Sequence, residues 1–314
     1  MGTLPDLPAR DVAGHKGTFG TVVVVGGSCG DAGAMIGAPA LTANAALRSG
    51  AGLAKLVVPR PIMRDAIQLA PSATAMAIPV DDAGAVISHK GAEILDGAME
   101  SADVVAIGPG LGKGAESLVL RAVGQTDVPV VVDADALNTL AGMSDFGPEI
   151  RAAAIFTPHP GEYARLAGAL AIRENPVDPA GRCAAAEALA QRLGVIVVLK
   201  GAGTVVSDGV RTWVCKRGHA CLATAGTGDV LTGVIAGLVS QFGSVGLREI
   251  RGVALPRPPG RPLDLFECAR IGVEAHAIAG EMWAGERGAS AGLLASELAD
   301  VVPRSLESLR AAQS

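Results

Sequence analysis

"ATAGTGDVLTGVIAGLV" runs from Ala223 to Val239. Small residues and glycines lead up to one carboxylate, Asp229, and an apolar run starts directly behind it. Val230, Leu231, Val234, Ile235, Leu238 and Val239 recur at helical spacing, which predicts a helix with one apolar stripe facing a sheet. Gly226, Thr227 and Gly228 then stand at its N-terminus, where free N–H groups and the positive dipole end suit an anion. Two readings of Asp229 are open. It caps the helix, as Thr227 equally would, and a cap has a lowered pKa. Alternatively it is a base beside an anion hole. Capping needs one short polar residue and gives no reason for Gly226 and Gly228.

Upstream, short apolar runs alternate with helix-length segments. The runs are Thr21–Val25, Leu53–Val58, Asp103–Ile107, Pro129–Asp133, Ala153–Thr157 and Val195–Lys200. Their near-continuous hydrophobicity is that of parallel strands covered on both faces. Pro39–Arg48, Gly114–Gly124 and Ala180–Leu193 read as the connecting helices. The pattern is a βαβ series, an α/β fold with a mostly parallel central sheet. "TVVSDGVRTWVC" reads as a hairpin turning at Asp208-Gly209. Leu265–Ala284 and Leu293–Val302 read as closing helices. The Pro- and Arg-rich segment 248–264 reads as a surface loop insertion within a single domain spanning 1–314.

Several strand ends share polar or glycine-rich character. "GGS", "GPGLG" and "KGAGT" follow strands, "DADALN" carries Asp133, Asp135 and Asn138, and "TPHPGE" carries Thr157, His159 and Glu162. Open α/β sheets bind ligands along that edge. Asp133 alone also suits a helix cap, and His159 a structural turn. The dinucleotide fingerprint fails because Ser28 stands at its second glycine, and no GxxxxGK[ST] occurs.

Composition bounds the rest. Hydrophobic residues make up 49% but aromatics only 3%, so the core is built from small aliphatic side chains on closely approaching elements. The net charge of −5 argues against nucleic acid as the main partner. Five scattered cysteines without a CxxC pair suggest a reduced, cytoplasmic protein. No apolar run reaches the ~18 residues of a membrane span, so no membrane partner is expected.

With these motifs in order from His15 to Gly280, the chain resembles the ADP/ATP-dependent NAD(P)H-hydrate dehydratases, of ribokinase-like fold. The resemblance is carried by "HKGTFGTVVVVGGS", "GAPALTANAALRSGAGL", "GPGLG", "DADALN", "TPHPGEYARL", "VVLKGAGTVV", "ATAGTGDVLTGVIAGL" and "RIGVEAHAIAG". It implies a three-layer sandwich with helices on both faces of the sheet. It also implies a repair reaction: the S-form of hydrated NADH or NADPH (NADHX, NADPHX) is phosphorylated on its hydroxyl and loses phosphate. ADP, or ATP, is the donor, and AMP or ADP is released. By motif position Asp229 is the base, and the amides of Gly226, Thr227 and Gly228 hold the phosphoryl group. Lys200, Gly201, Ala202, Gly203, Thr204 and Gly228 bind the nucleotide, while Ala38, Gly112, His159 and Asp229 meet the hydrate. Glu162 corresponds to the acid acting through water on a magnesium–phosphate assembly, with Asp133 and Asn138 nearby. A homotetramer is implied as well. Bifunctional relatives carry an epimerase domain in front, and none is expected before a match starting at His15.

Two segments depart from the family pattern. "GDAGAM" follows Ser28 where many relatives have a shorter loop, and "HACL" (His219–Leu222) replaces the usual Asn-Pro-Gly-Met. The rivals to the dehydratase reading are a vitamin-precursor kinase of the same fold and a non-catalytic nucleotide sensor.

Overall fold

The computed structural model describes residues 3–30, 33–244 and 262–312. The chain opens with β1 (Thr21–Val25), a small hairpin of β2 (Ser28–Gly30) and β3 (Gly33–Met35), α1 (Gly37–Arg48) and β4 (Leu53–Pro59). Next come α2 (Met63–Leu69), β5 (Thr74–Ile78), α3 (Ser88–Met99), β6 (Val104–Ile107), α4 (Glu116–Gly124) and β7 (Val130–Val132). Then follow α5 (Ala134–Ala141), β8 (Ala154–Phe156), α6 (Pro160–Ala169), α7 (Arg182–Leu193) and β9 (Ile196–Leu199). The last third holds β10 (Val205–Ser207), β11 (Thr212–Val214), α8 (Thr227–Phe242), β12 (Gly243–Ser244), β13 (Leu263–Asp264), α9 (Leu265–Arg287) and α10 (Ala295–Ala311).

The main sheet has nine strands in the order β11-β10-β9-β8-β7-β6-β1-β4-β5. All pairs from β9 to β5 are parallel, and β10 runs antiparallel to both its neighbours. Each strand feeds both layers because successive side chains point to opposite faces. In β1, Val22 and Val24 join the core beneath α1, α2, α8, α9 and α10, and Val23 and Val25 join the core beneath α3 to α7. That double burial is why the strands read as unbroken apolar runs. Among the described residues no helix is long and apolar enough to cross a membrane.

The chain moves from β1 outward to β5, then returns to β6 on the other side of β1. The loops after β1 and β6 therefore diverge at a topological switch point, where such sheets open a ligand crevice. "GGS" and "GPGLG" are those loops, joined by the Gly27 N–H donating to the Pro109 carbonyl at 2.9 Å.

Several expectations are corrected. α8 is buried almost all round, not on a single stripe, because α1 and α9 cover the sides that the sheet leaves free. The β10–β11 turn centres on Gly209 and Val210, closed by Asp208 N–H to the Arg211 carbonyl at 3.1 Å, so it sits one residue later than the Asp208-Gly209 reading. α10 continues through Pro303 to Ala311, since buried Leu306 and Leu309 extend its apolar stripe past the proline. Most of segment 248–264 lies outside the described residues, but Leu263 and Asp264 pair with β12, and Asp264 caps α9.

α1 and α8 approach closely at glycines of α8, where α1 presents backbone and short side chains. A Cβ on Gly233 would stand 2.2 Å from the Thr42 carbonyl oxygen, and one on Gly237 would stand 2.0 Å from Ser49 Oγ. Gln241 Nε2 donates to the Ser49 carbonyl at 2.9 Å, and Thr42 Oγ1 donates to the Asp229 carbonyl at 3.1 Å. Gly233→Ala is therefore expected to lose about 1–3 kcal/mol by overpacking, read as a lower urea midpoint.

Candidate active site

The opening stretch forms a tight turn into α8. Gly226 is the N-cap residue with φ of 87°, and no side chain caps the helix. Thr227 Oγ1 points backward, donating to the Leu222 and Thr224 carbonyls at 2.9 and 3.0 Å. His276, half-buried in α9, sits with Nε2 2.9 Å from the Thr227 carbonyl, and because that oxygen only accepts, Nε2 carries the proton. Its pKa is pushed down to about 4 by burial, so it is neutral. The capping reading of Asp229 and Thr227 thus fails. The turn is pinned by contacts that leave the helix's first N–H groups unclaimed by side chains.

Asp229 sits in the first turn of α8 with its pKa raised to about 7. Burial is the largest cause, Asp133 adds to it, Lys200 opposes it, and Asp135 and Glu162 add further. This reverses the lowered value that a cap would have. A group titrating near 7 is suited to take a proton at neutral pH. The expected kcat/KM profile therefore rises about tenfold per pH unit on the acid side and levels off above about 7, as Asp229 ionises. A profile flat down to pH 5 would remove Asp229 from that role.

Lys200 lies under the turn. Its Nζ donates to Asp133 Oδ1 at 2.6 Å and stands 3.8 Å from Glu162 Oε2. Burial alone would lower the Lys200 pKa, but Asp133, Glu162 and Asp229 more than offset it, and the ammonium titrates above its ordinary value. The other Asp133 oxygen accepts from Thr232 Oγ1 at 2.7 Å. Both oxygens of Asp133 are thus engaged by protein groups, and it makes no side-chain cap to α5.

Ala134, in the left-handed region at φ 50°, separates Asp133 from Asp135. Asp135 Oδ2 accepts from the Gly112 N–H at 2.9 Å, which ties "DADALN" to "GPGLG". Ala38, at the start of α1, lies against Gly110 of that same loop: a Cβ on Gly110 would stand 3.2 Å from Ala38 Cβ. Asn138 is turned outward, accepting from Arg165 Nη1 at 2.9 Å. Asp133 and Asn138 are thus both held by protein partners.

His159 is the N-cap of α6. Its Nδ1 accepts from Gly161 N–H at 3.0 Å and Glu162 N–H at 3.3 Å, while Glu162 Oε2 accepts from His159 N–H at 2.8 Å. With Nδ1 accepting, the ring proton sits on Nε2, which is 3.4 Å from Glu162 Oε1. Burial, then Lys200 and Arg165, push the His159 pKa down, and burial raises that of Glu162. The structural reading of His159 holds as a capping box, and half of its side chain remains exposed.

A cavity of about 560 Å³ opens beside the turn. Lys200, Gly201, Ala202, Gly203, Thr204 and Gly228 all line it, so the residues expected to hold nucleotide converge on one space. Ala38, Gly112 and His159 do not line it: Gly112 belongs to the loop after β6 that Ala38 lies against, and His159 follows β8. Sequence reasoning missed His276, Leu231, Val273 and Ala277 on its walls. The quoted "RIGVEAHAIAG" contained His276, with nothing local to mark its role.

The divergent "HACL" segment is a short helical turn over Ala220–Leu222. His219 Nδ1 accepts from Cys221 N–H at 3.3 Å, and Cys221 Sγ donates to the Gly280 carbonyl at 3.3 Å. Leu222 packs on Gly280, and its carbonyl is one of the two that hold Thr227. The segment therefore anchors the Gly226–Asp229 turn to α9.

A mostly parallel sheet between helical layers, with a glycine turn opening a buried helix beside a cavity, defines a ribokinase-like protein. The sequence model of the NAD(P)H-hydrate dehydratase family matches residues 22–304, and the chain belongs to that family. It is 38% identical to the bifunctional NAD(P)H-hydrate repair enzyme Nnr of Moorella thermoacetica, over 96% of this chain and 52% of that one. The Escherichia coli K12 enzyme of the same name is 34% identical over 95% of this chain and 50% of its own length. The chain thus spans about half the length of the curated relatives it matches. The ADP/ATP-dependent NAD(P)H-hydrate dehydratase of Bacillus subtilis, co-crystallised with ATP/Mg2+, superposes with a TM-score of 0.73 at 29% identity, covering 97% of this chain and 95% of its own.

Proposed function

We propose that this chain restores NADH and NADPH from their S-hydrates, using ADP or ATP as phosphoryl donor. The carrying observation is Asp229, a carboxylate titrating near 7 at a glycine turn that also walls the cavity lined by Lys200–Thr204. In this reading Asp229 takes the proton of the hydrate hydroxyl, and that oxygen attacks the terminal phosphorus. The bond to the bridging oxygen breaks, releasing AMP from ADP or ADP from ATP. The amides of Gly226, Thr227 and Gly228 hold the transferring group. The ring nitrogen lone pair then expels phosphate from the adjacent carbon, and loss of a proton from the neighbouring carbon restores the dihydropyridine.

A divalent cation would come to this site with the nucleotide phosphates and not onto a ready set of protein ligands, since among the described residues no group of three His, Cys, Asp or Glu could hold one. Asp133, Asp135 and Glu162 all act on Asp229 beside the single ammonium of Lys200, a surplus of negative charge that nucleotide phosphates would deepen. Glu162 would hold the ion through water, and the ion would supply charge neutralisation on the phosphates. A homotetramer in the cytoplasm is the assembly and location we propose on family grounds. The vitamin-precursor kinase reading rests only on fold: the hydroxyethylthiazole kinase of Pyrococcus horikoshii superposes at a TM-score of 0.59 with 17% identity.

The test mixes the protein, hydrated NADH, magnesium and either ADP or ATP, and follows the dihydronicotinamide absorbance. Regeneration with at least one nucleotide is expected. Failure with both, or phosphorylation of hydroxyethylthiazole in its place, would sink the reading.

A further inference from the structure

Thr232 has no part in the chemistry above, yet it is wholly buried inside α8. A hydroxyl there is costly unless it is satisfied. Its partner is Asp133, itself 1% exposed, whose other oxygen holds Lys200. The three residues come from α8 and from the ends of β7 and β9, bridging 99 and 67 positions of sequence. Lys200 Nζ ends 3.5 Å from where a Cβ on Gly228 would stand, and the residue lines the nucleotide cavity. An ammonium has three donors. One goes to Asp133 and one faces Glu162, which leaves a third for the cavity side.

We propose that Thr232 and Asp133 are positioning residues for phosphoryl transfer, holding the Lys200 ammonium beneath the Gly226–Asp229 turn so that it meets the charge developing on the transferring group. The inference rests on the phosphoryl-transfer reading. A lysine stem is long and flexible, and an electrostatic group helps most when it need not reorganise at the moment of reaction. Asp133 fixes the ammonium, and Thr232 fixes Asp133. A network serving only the core would affect stability alone.

The test compares Thr232→Val, Thr232→Ser and Asp133→Asn with wild type in the regeneration assay, alongside melting temperature and ADP affinity. Thr232→Val keeps the side chain's shape but loses the donor. It should lower kcat roughly tenfold, with both KM values within about twofold of wild type. Thr232→Ser should restore kcat to within about twofold of wild type. Asp133→Asn keeps size while removing the charge that holds the ammonium, and should lose more kcat than Thr232→Val. Wild-type kcat in either Thr232→Val or Asp133→Asn overturns the inference. So does a loss that appears only in KM and melting temperature, or one that serine fails to rescue. A wild-type enzyme inactive with both nucleotides overturns the dehydratase reading, and this inference with it.

Discussion

Asp229→Asn is expected to lower turnover by roughly 10²–10⁴-fold while leaving ADP binding intact. The amide keeps the size of the side chain and cannot accept the hydroxyl proton. The cavity-lining residues Lys200–Thr204 are untouched, so titration calorimetry with ADP should match wild type. The same substitution should raise the melting temperature at pH 8. Asp229 ionises near its ordinary value of 3.8 in the unfolded chain but near 7 in the fold. Its contribution to stability is therefore full below about pH 4 and is lost as pH rises through about 7. Asn escapes that loss, so its advantage should shrink towards pH 4. Retained turnover, or a melting temperature below wild type at pH 8, would contradict this account.

Lys200→Met should cost about 3–5 kcal/mol of folding stability, the scale for breaking a buried pair from one side. Asp133 would be left 1% exposed with only the Thr232 hydroxyl for a partner. Adding Asp133→Asn to Lys200→Met should recover part of that loss, because the orphaned charge is then gone. Urea unfolding of the single and double variants provides the measurement. A single variant as stable as wild type would mean the pair is solvated in solution.

The parallel sheet was legible because its central strands carry no polar face. "TVVVV" and "DVVAI" admit no other placement than between two helical layers. The edge strand β5 was missed: "TAMAI" is short and partly exposed, so nothing forces a continuous apolar run. The β2–β3 hairpin was missed for the same reason, being partly or fully exposed along both described strands. At the site, glycine spacing marked the tight turn into α8 and the acid in its first turn. The direction of the Asp229 shift was not legible, since it depends first on burial and then on Asp133, Asp135 and Glu162, all of which the fold supplies from other elements. Thr232 was hidden inside an apolar run, where a single hydroxyl looks incidental. Lys200–Thr204 line one cavity, while the partners of Asp133 and Asn138, namely Lys200, Thr232 and Arg165, come from distant parts of the chain and left no local trace.

The close approach of α1 and α8 also bears on how such an enzyme can change over generations. α1 starts at Gly37, next to the Ala38 proposed to meet the hydrate, and α8 starts at the turn proposed to hold the phosphoryl group. Their separation is set by Thr42, Ala45, Ala46 and Ser49 lying against Gly233 and Gly237, where backbone meets backbone or the short Ala45 and Ser49 side chains. Every larger residue at those glycines meets carbonyl, hydroxyl or methyl atoms at once, so selection has no graded path by which to alter the span between acceptor and donor. New preferences for donor or hydrate are then expected on the cavity rim and in the strand-end loops, where a side chain can change without moving either helix.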